Sequence, residues 1–105
     1  ANVLRLRGVP FVVEGERVRN QYEVHLVNKG PRPAQLELAV SGPNGLEVEL
    51  SRATVTLGSL EDTRVPLVLW LPREAARGRV ELTLTVREGE SGVERKRPVP
   101  FLAPR

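Results

Sequence analysis

Apolar and polar side chains alternate at every second residue along most of this chain. Between Arg79 and Arg87, Val80, Leu82, Leu84 and Val86 fall on one side, and Glu81, Thr83 and Thr85 on the other. Successive side chains of a β-strand face opposite sides, so this period marks a strand with one buried and one wetted face. A helix would scatter the same residues around its circumference. The pattern recurs at Tyr22, Val24 and Leu26, at Leu36, Leu38 and Val40, at Leu46, Val48 and Leu50, and at Val55 and Leu57. Val65, Leu67, Leu69 and Leu71 share a face, with Val68 and Trp70 on the other. Val99 and Phe101 close the chain, and an opening strand between Val3 and Val13 is broken near Gly8–Pro10.

Turn formers separate these runs. Gly15 divides the first two strands, and Gly30-Pro31-Arg32-Pro33 the next two. Gly42-Pro43-Asn44-Gly45 is the strongest turn, because proline presets φ and glycine supplies a positive φ. It predicts a short hairpin between Leu36–Ser41 and Leu46–Leu50. Gly58-Ser59 and Gly89–Gly92 mark later turns, and Pro72–Arg77 allows one helical turn. The fold predicted is all-β: an immunoglobulin-like β-sandwich of about seven antiparallel strands, one domain over residues 1–105. A closed barrel is the rival. The long connection from Leu71 to Gly78 favours the sandwich, since a chain changes sheets through such a crossover.

Composition sharpens this picture. At 105 residues the chain exceeds the roughly 70 below which a core needs staples. No apolar run approaches the roughly 20 residues of a membrane helix, and Ala1–Arg7 lacks a signal peptide's apolar stretch. A targeting or anchoring segment, if the protein has one, lies outside these residues. Cysteine is missing, which removes disulfides, iron–sulfur ligation and cysteine-bound zinc from this chain. The net charge of +3 is modest and aromatics are only 4 %, too few for a base-stacking platform, so nucleic acid is not an expected partner.

Catalysis needs convergent nucleophiles, proton carriers or metal ligands. His25 stands alone among histidines and points away from the Tyr22–Leu26 face, as a surface residue does. Asp62 is the one aspartate and follows a turn, which it caps or solvates. Glu47 and Glu49 share a strand face without a surrounding cleft, and no serine lies in a nucleophile-elbow sequence. No catalytic residue, cofactor site or metal site is assigned. Arg95-Lys96-Arg97, with Arg87 and Arg105 nearby, is the densest basic cluster and suits a charged edge strand, as do Pro98 and Pro100. Trp70, out of phase with Leu69 and Leu71, is a candidate anchor. Trp70, Arg95, Lys96 and Arg97 are thus the candidate interaction surface. Tyr22 is expected in the core with its hydroxyl tied to backbone.

Asn20-Gln21-Tyr22-Glu23-Val24-His25-Leu26-Val27-Asn28-Lys29 has the form N-x-Y, alternating apolar positions, then N-K. This stretch resembles the C-terminal immunoglobulin-like domain of the FixG family, also called CcoG. The lead-in Arg5-x-Arg7-Gly8, the turn Glu14-Gly15, the Val40–Gly45 segment, Leu57-Gly58, Pro72 and the closing Phe101-Leu102-Ala103-Pro104 extend the resemblance over nearly the whole chain. Leu6, where the lead-in usually has an acid, and Val9-Pro10-Phe11 depart from it. Both asparagines read as structural: Asn28 bonding its own backbone across the turn, Asn20 doing so where the chain enters the strand. The resemblance implies a parent membrane protein with ferredoxin-like iron–sulfur clusters, assisting assembly of a haem-copper cytochrome oxidase. It implies a noncatalytic accessory domain on the periplasmic side, touching the membrane only through its parent. Its partner would be the rest of the parent chain or oxidase assembly components. The alternative is a carbohydrate- or protein-binding module of a secreted or cell-surface protein, which would need exposed aromatics.

Overall fold

The computed structural model describes residues 2–8, 11–77 and 79–103, and within them the alternating segments form nine strands. These are β1 (Asn2–Gly8), β2 (Val12–Glu14), β3 (Arg17–Asn28), β4 (Ala34–Ser41), β5 (Glu47–Leu50), β6 (Thr54–Leu57), β7 (Asp62–Pro72), β8 (Arg79–Glu88) and β9 (Glu94–Leu102). One sheet has the order β1-β3-β7-β5, with β2 also on β3, and the other has β6-β4-β8-β9. Every pairing is antiparallel. The architecture is the predicted immunoglobulin-like sandwich. Its strand number exceeds seven partly because the opening strand is split. β1 and β2 both run along β3, with Gly8 opposite Tyr22 and Val12 opposite Arg19. The opening strand thus advances four residues while β3 advances three, a bulge-like slip of the kind that bends an edge. Val9, Pro10, Gly78, Pro104 and Arg105, which entered the sequence reading, lie outside the described residues.

β2 and β3 are joined by Gly15 and Glu16, with Gly15 at φ 59, the position a type II′ hairpin assigns to glycine. The turn at Gly42–Gly45 forms, and Leu46 N–H donates to Pro43 O at 3.3 Å. It does not make the predicted hairpin. β4 pairs with β6 and β8, whereas β5 pairs with β7 in the other sheet. Both flanks of β4 are occupied, so the returning chain joins the opposite layer. The corner is tight: a Cβ on Gly42 would lie 2.5 Å from Leu82 Cδ2, and one on Gly45, at φ 91, would lie 2.8 Å from Pro72 Cγ. β5 is consequently a short edge strand, and Val48 is 40 % exposed although its phase is apolar.

β7 is the spine of the core. Val65, Leu67, Leu69 and Leu71 are each fully buried, against Val18, Val24 and Leu26 of β3 and Leu82, Leu84, Val99 and Phe101 of the facing sheet. Each such side chain contributes about 2 kcal/mol by leaving water. After Pro72 one turn carries the chain across, with the N–H groups of Ala75 and Ala76 both donating to Pro72 O at 3.0 Å. This is the helical turn and sheet change that the sequence predicted.

Candidate functional site

Strand alternation places Asn20, Tyr22, Val24, Leu26 and Asn28 on the inner face of β3. Asn20 and Asn28 are the buried polar residues among those described. A buried amide must find partners or forfeit about 1–3 kcal/mol, and both find them across the sandwich. Asn20 Oδ1 accepts the Leu102 N–H at 2.9 Å, while its Nδ2 donates to Leu102 O at 2.9 Å. Its side chain bonds β9 as a neighbouring strand would. The Tyr22 hydroxyl donates to Pro100 O at 2.9 Å and lies 3.2 Å from Asn20 Oδ1. Burial pushes the Tyr22 phenol pKa well above its ordinary value. The expectation that Asn20 bonds local backbone is thus corrected. β3 already begins at Arg17, so Asn20 has no turn beside it and reaches a residue 82 positions away.

Asn28 does what the sequence suggested and more. Its Oδ1 accepts the Gly30 N–H at 2.9 Å. Its Nδ2 lies 2.8 Å from Arg32 O, 3.1 Å from Leu57 O and 3.1 Å from Gly58 O. The Asn28 N–H donates to Glu61 O at 2.9 Å. The two asparagines therefore clasp the two sheets together at opposite ends of one strand.

Beside the first clasp lies an open groove of about 450 Å³ lined by Leu6, Gly8, Phe11, Asn20, Tyr22, Pro100 and Leu102. A Cβ on Gly8 would come within 3.2 Å of Tyr22 Cδ2, so glycine keeps the broken edge close to the ring. The polar atoms of Asn20 and Tyr22 are already engaged by β9, and the groove wall is mostly apolar. Sequence reading missed it, because its walls come from segments at opposite ends of the chain.

The four residues singled out as an interaction surface are not brought together. Trp70 lies on the outer face of the β1-β3-β7-β5 sheet, half-buried under the Arg17 guanidinium, which sits 5.4 Å from the ring centre. Glu47 holds Arg17 at 2.9 Å. Arg95, Lys96 and Arg97 lie on β9, the edge of the other sheet. Alternation also divides that run: Arg95 and Arg97 share the phase of buried Val99 and Phe101, while Lys96 points the opposite way. Charges in inward phase at an edge discourage pairing with another strand.

The remaining chemistry is equally dispersed. His25 sits on the outer face with its Nε2 2.8 Å from Asp62 Oδ2. Glu23 pairs with Arg64 at 3.2 Å, and Glu14 with Arg19 at 3.1 Å. Among the described residues no three His, Asp or Glu side chains cluster closely enough to hold a metal ion, and no helix is long and apolar enough to cross a membrane. Tyr22 and Phe101 are buried, Phe11 and Trp70 half-buried, and they make no common platform of the kind a carbohydrate-binding module presents.

The whole described architecture has known counterparts. Residues 1–104 match the family model described as "IG-like fold at C-terminal of FixG, putative oxidoreductase". A FixG-related protein from Vibrio parahaemolyticus superimposes with a TM-score of 0.83 at 14 % identity, over 97 % of this chain and 95 % of that one. The cupredoxin domain of amoB from Nitrosocaldus yellowstonii gives a TM-score of 0.62 at 10 % identity, over 83 % of this chain and 56 % of that one. At such identities these structures establish the shared fold alone. No curated protein matches the chain.

Proposed function

The chain belongs to the family of immunoglobulin-like domains at the C-terminus of FixG, and from that premise we propose that it is a noncatalytic accessory domain of a membrane-bound iron–sulfur protein. In this reading the domain stands on the periplasmic side and docks its parent against components of cytochrome oxidase assembly. The observation that carries the reading is the engagement of the motif's polar groups. Asn20, Tyr22 and Asn28 direct their side chains into main-chain hydrogen bonds that close the sandwich. What remains on the surface is a set of separated ion pairs and an apolar groove, which suit contact rather than chemistry.

The test uses the 105-residue chain and its parent. The chain, incubated anaerobically with ferrous iron and sulfide, is expected to take up no cluster and to reduce no copper. Removing the domain from the parent is expected to leave its clusters loaded while lowering the yield of assembled oxidase. Cluster uptake by the chain alone, or loss of the parent's clusters with the domain, would overturn the proposal.

A further inference from the structure

We propose that two copies of this chain pair through the open edge of β6, antiparallel, about a two-fold axis at Val55. Each sheet has two edges, and among the described residues three of the four carry a device against strand addition. β9 has Pro98, Pro100 and the basic run Arg95–Arg97. β1 and β2 are split by a slip in register and carry Arg5 and Arg7. β5 presents Glu47 and Glu49. β6, Thr-Val-Thr-Leu, has no charge, proline or glycine, and its β-branched residues favour extended pairing. Shortness is its one protection.

The direction of its main-chain groups is fixed by the ladder to β4. Leu38 N–H donates to Ala53 O, so residues 53, 55 and 57 turn their groups toward β4. Thr54 and Thr56 therefore turn theirs to the open edge, where among the described residues nothing bonds them. Antiparallel pairing centred on Val55 sets Thr54 opposite the second copy's Thr56. Two such pairs exchange four main-chain hydrogen bonds, and threonine–threonine neighbours are favourable on a sheet face. The same register carries Arg52 to the second copy's Gly58, beside Glu61, whose carboxylate receives the Gly58 N–H at 3.0 Å. Arg52 holds Thr63 Oγ1 at 2.7 Å within its own copy, and its positive charge faces that carboxylate at both ends of the pair.

A second feature adjoins this edge. Leu60 is 75 % exposed and holds φ at 64, in the turn closed by Glu61 N–H donating to Gly58 O at 3.1 Å. Glycine or asparagine ordinarily takes that position, since a leucine there is strained. A strained, fully displayed leucine is the residue a contact would exploit. In the proposed pair it lies against the second copy's β5–β6 connection. The strand is four residues long, so the contact falls below the roughly 1,200 Å² of a tight interface and the dimer is weak and concentration-dependent.

Sedimentation equilibrium of the 105-residue chain up to about 1 mM is expected to show a monomer–dimer equilibrium. Thr54→Lys with Thr56→Lys places like charges opposite one another and is expected to weaken it at least tenfold; Leu60→Gly weakens it less while relieving the strained turn. In the unaltered chain, amide exchange at Thr54 and Thr56 is expected to slow with rising concentration, while Val55, bonded to β4, stays protected throughout. The exchange readout holds even if the double lysine variant folds poorly. A chain that stays monomeric, a dimer untouched by the lysines, or exchange at Thr54 and Thr56 independent of concentration overturns the proposal. A monomer whose edge is protected only by a strand from another polypeptide overturns it equally.

Discussion

The two faces of β3 are built from neighbouring residues and held by different physics. The inner face sets Tyr22, Val24 and Leu26 between two asparagines, all buried and every amide engaged. The outer face sets Arg17, Arg19 and Glu23 in ion pairs, and His25 in a hydrogen bond with Asp62, all of which remain in contact with water. An exposed pair contributes about 0–1 kcal/mol, since water screens it and two long side chains lose freedom. A buried amide bonded on both sides forfeits more than that when removed, because the part-buried main-chain groups it engaged lose their bonds. One strand thus separates stability, which lies inside, from surface character, which lies outside.

The largest expected effect is a cavity. Leu26→Ala should destabilise the domain by about 2–5 kcal/mol, read from the midpoint of urea unfolding. The clasps come next. Asn28→Ala removes the two N–H donors shared among three carbonyls and the acceptor of the Gly30 N–H, and should cost about 3 kcal/mol; Asn20→Ala, which removes the partner of both main-chain groups of Leu102, about 2 kcal/mol. The order of the two measures whether contact with local turns or with a distant edge strand counts for more.

Tyr22 sharpens the comparison through pH. Its folded pKa is raised by burial, so the unfolded chain releases the proton first, near the ordinary value of about 10. Tyr22's contribution is complete below that pH and falls as the pH rises above it toward the folded pKa. Tyr22→Phe should cost about 1 kcal/mol at neutral pH and flatten the alkaline decline in stability. An equal alkaline slope in the variant would move its origin elsewhere. The smallest effect belongs to the outer face. Arg17→Ala or Asp62→Asn should change stability by less than about 1 kcal/mol, with salt reducing the difference further. A loss as large as that of Asn20→Ala would break the distinction between the faces.

Much of this was legible along the chain. The alternation at Val65–Leu71 and Leu82–Val86 named core residues before any fold was known, because a strand's period of two leaves no choice of face. The break at Gly8, the crossover after Pro72 and the capping by Asn28 were local matters, and local chemistry specified them. The partner of β4 was not. The turn at Gly42–Gly45 encodes a reversal, and a reversal is equally consistent with returning in the same sheet or in the facing one. The candidate surface failed to assemble for a similar reason: Trp70 and the basic run on β9 belong to different sheets, and alternation within β9 parts Lys96 from its neighbours.

The order of side chains along this protein determined by itself where most strands run, which face of the central strands is dry, and which positions turn. Those are short-range consequences of pleat geometry and of proline and glycine. Only the tertiary structure decided that Asn20 and Tyr22 would fasten β9, that a groove would open between the chain's two ends, and that β6 would be left an uncharged edge. These depend on which segments meet in space, and meeting is settled by the packing of two sheets, which no local pattern encodes.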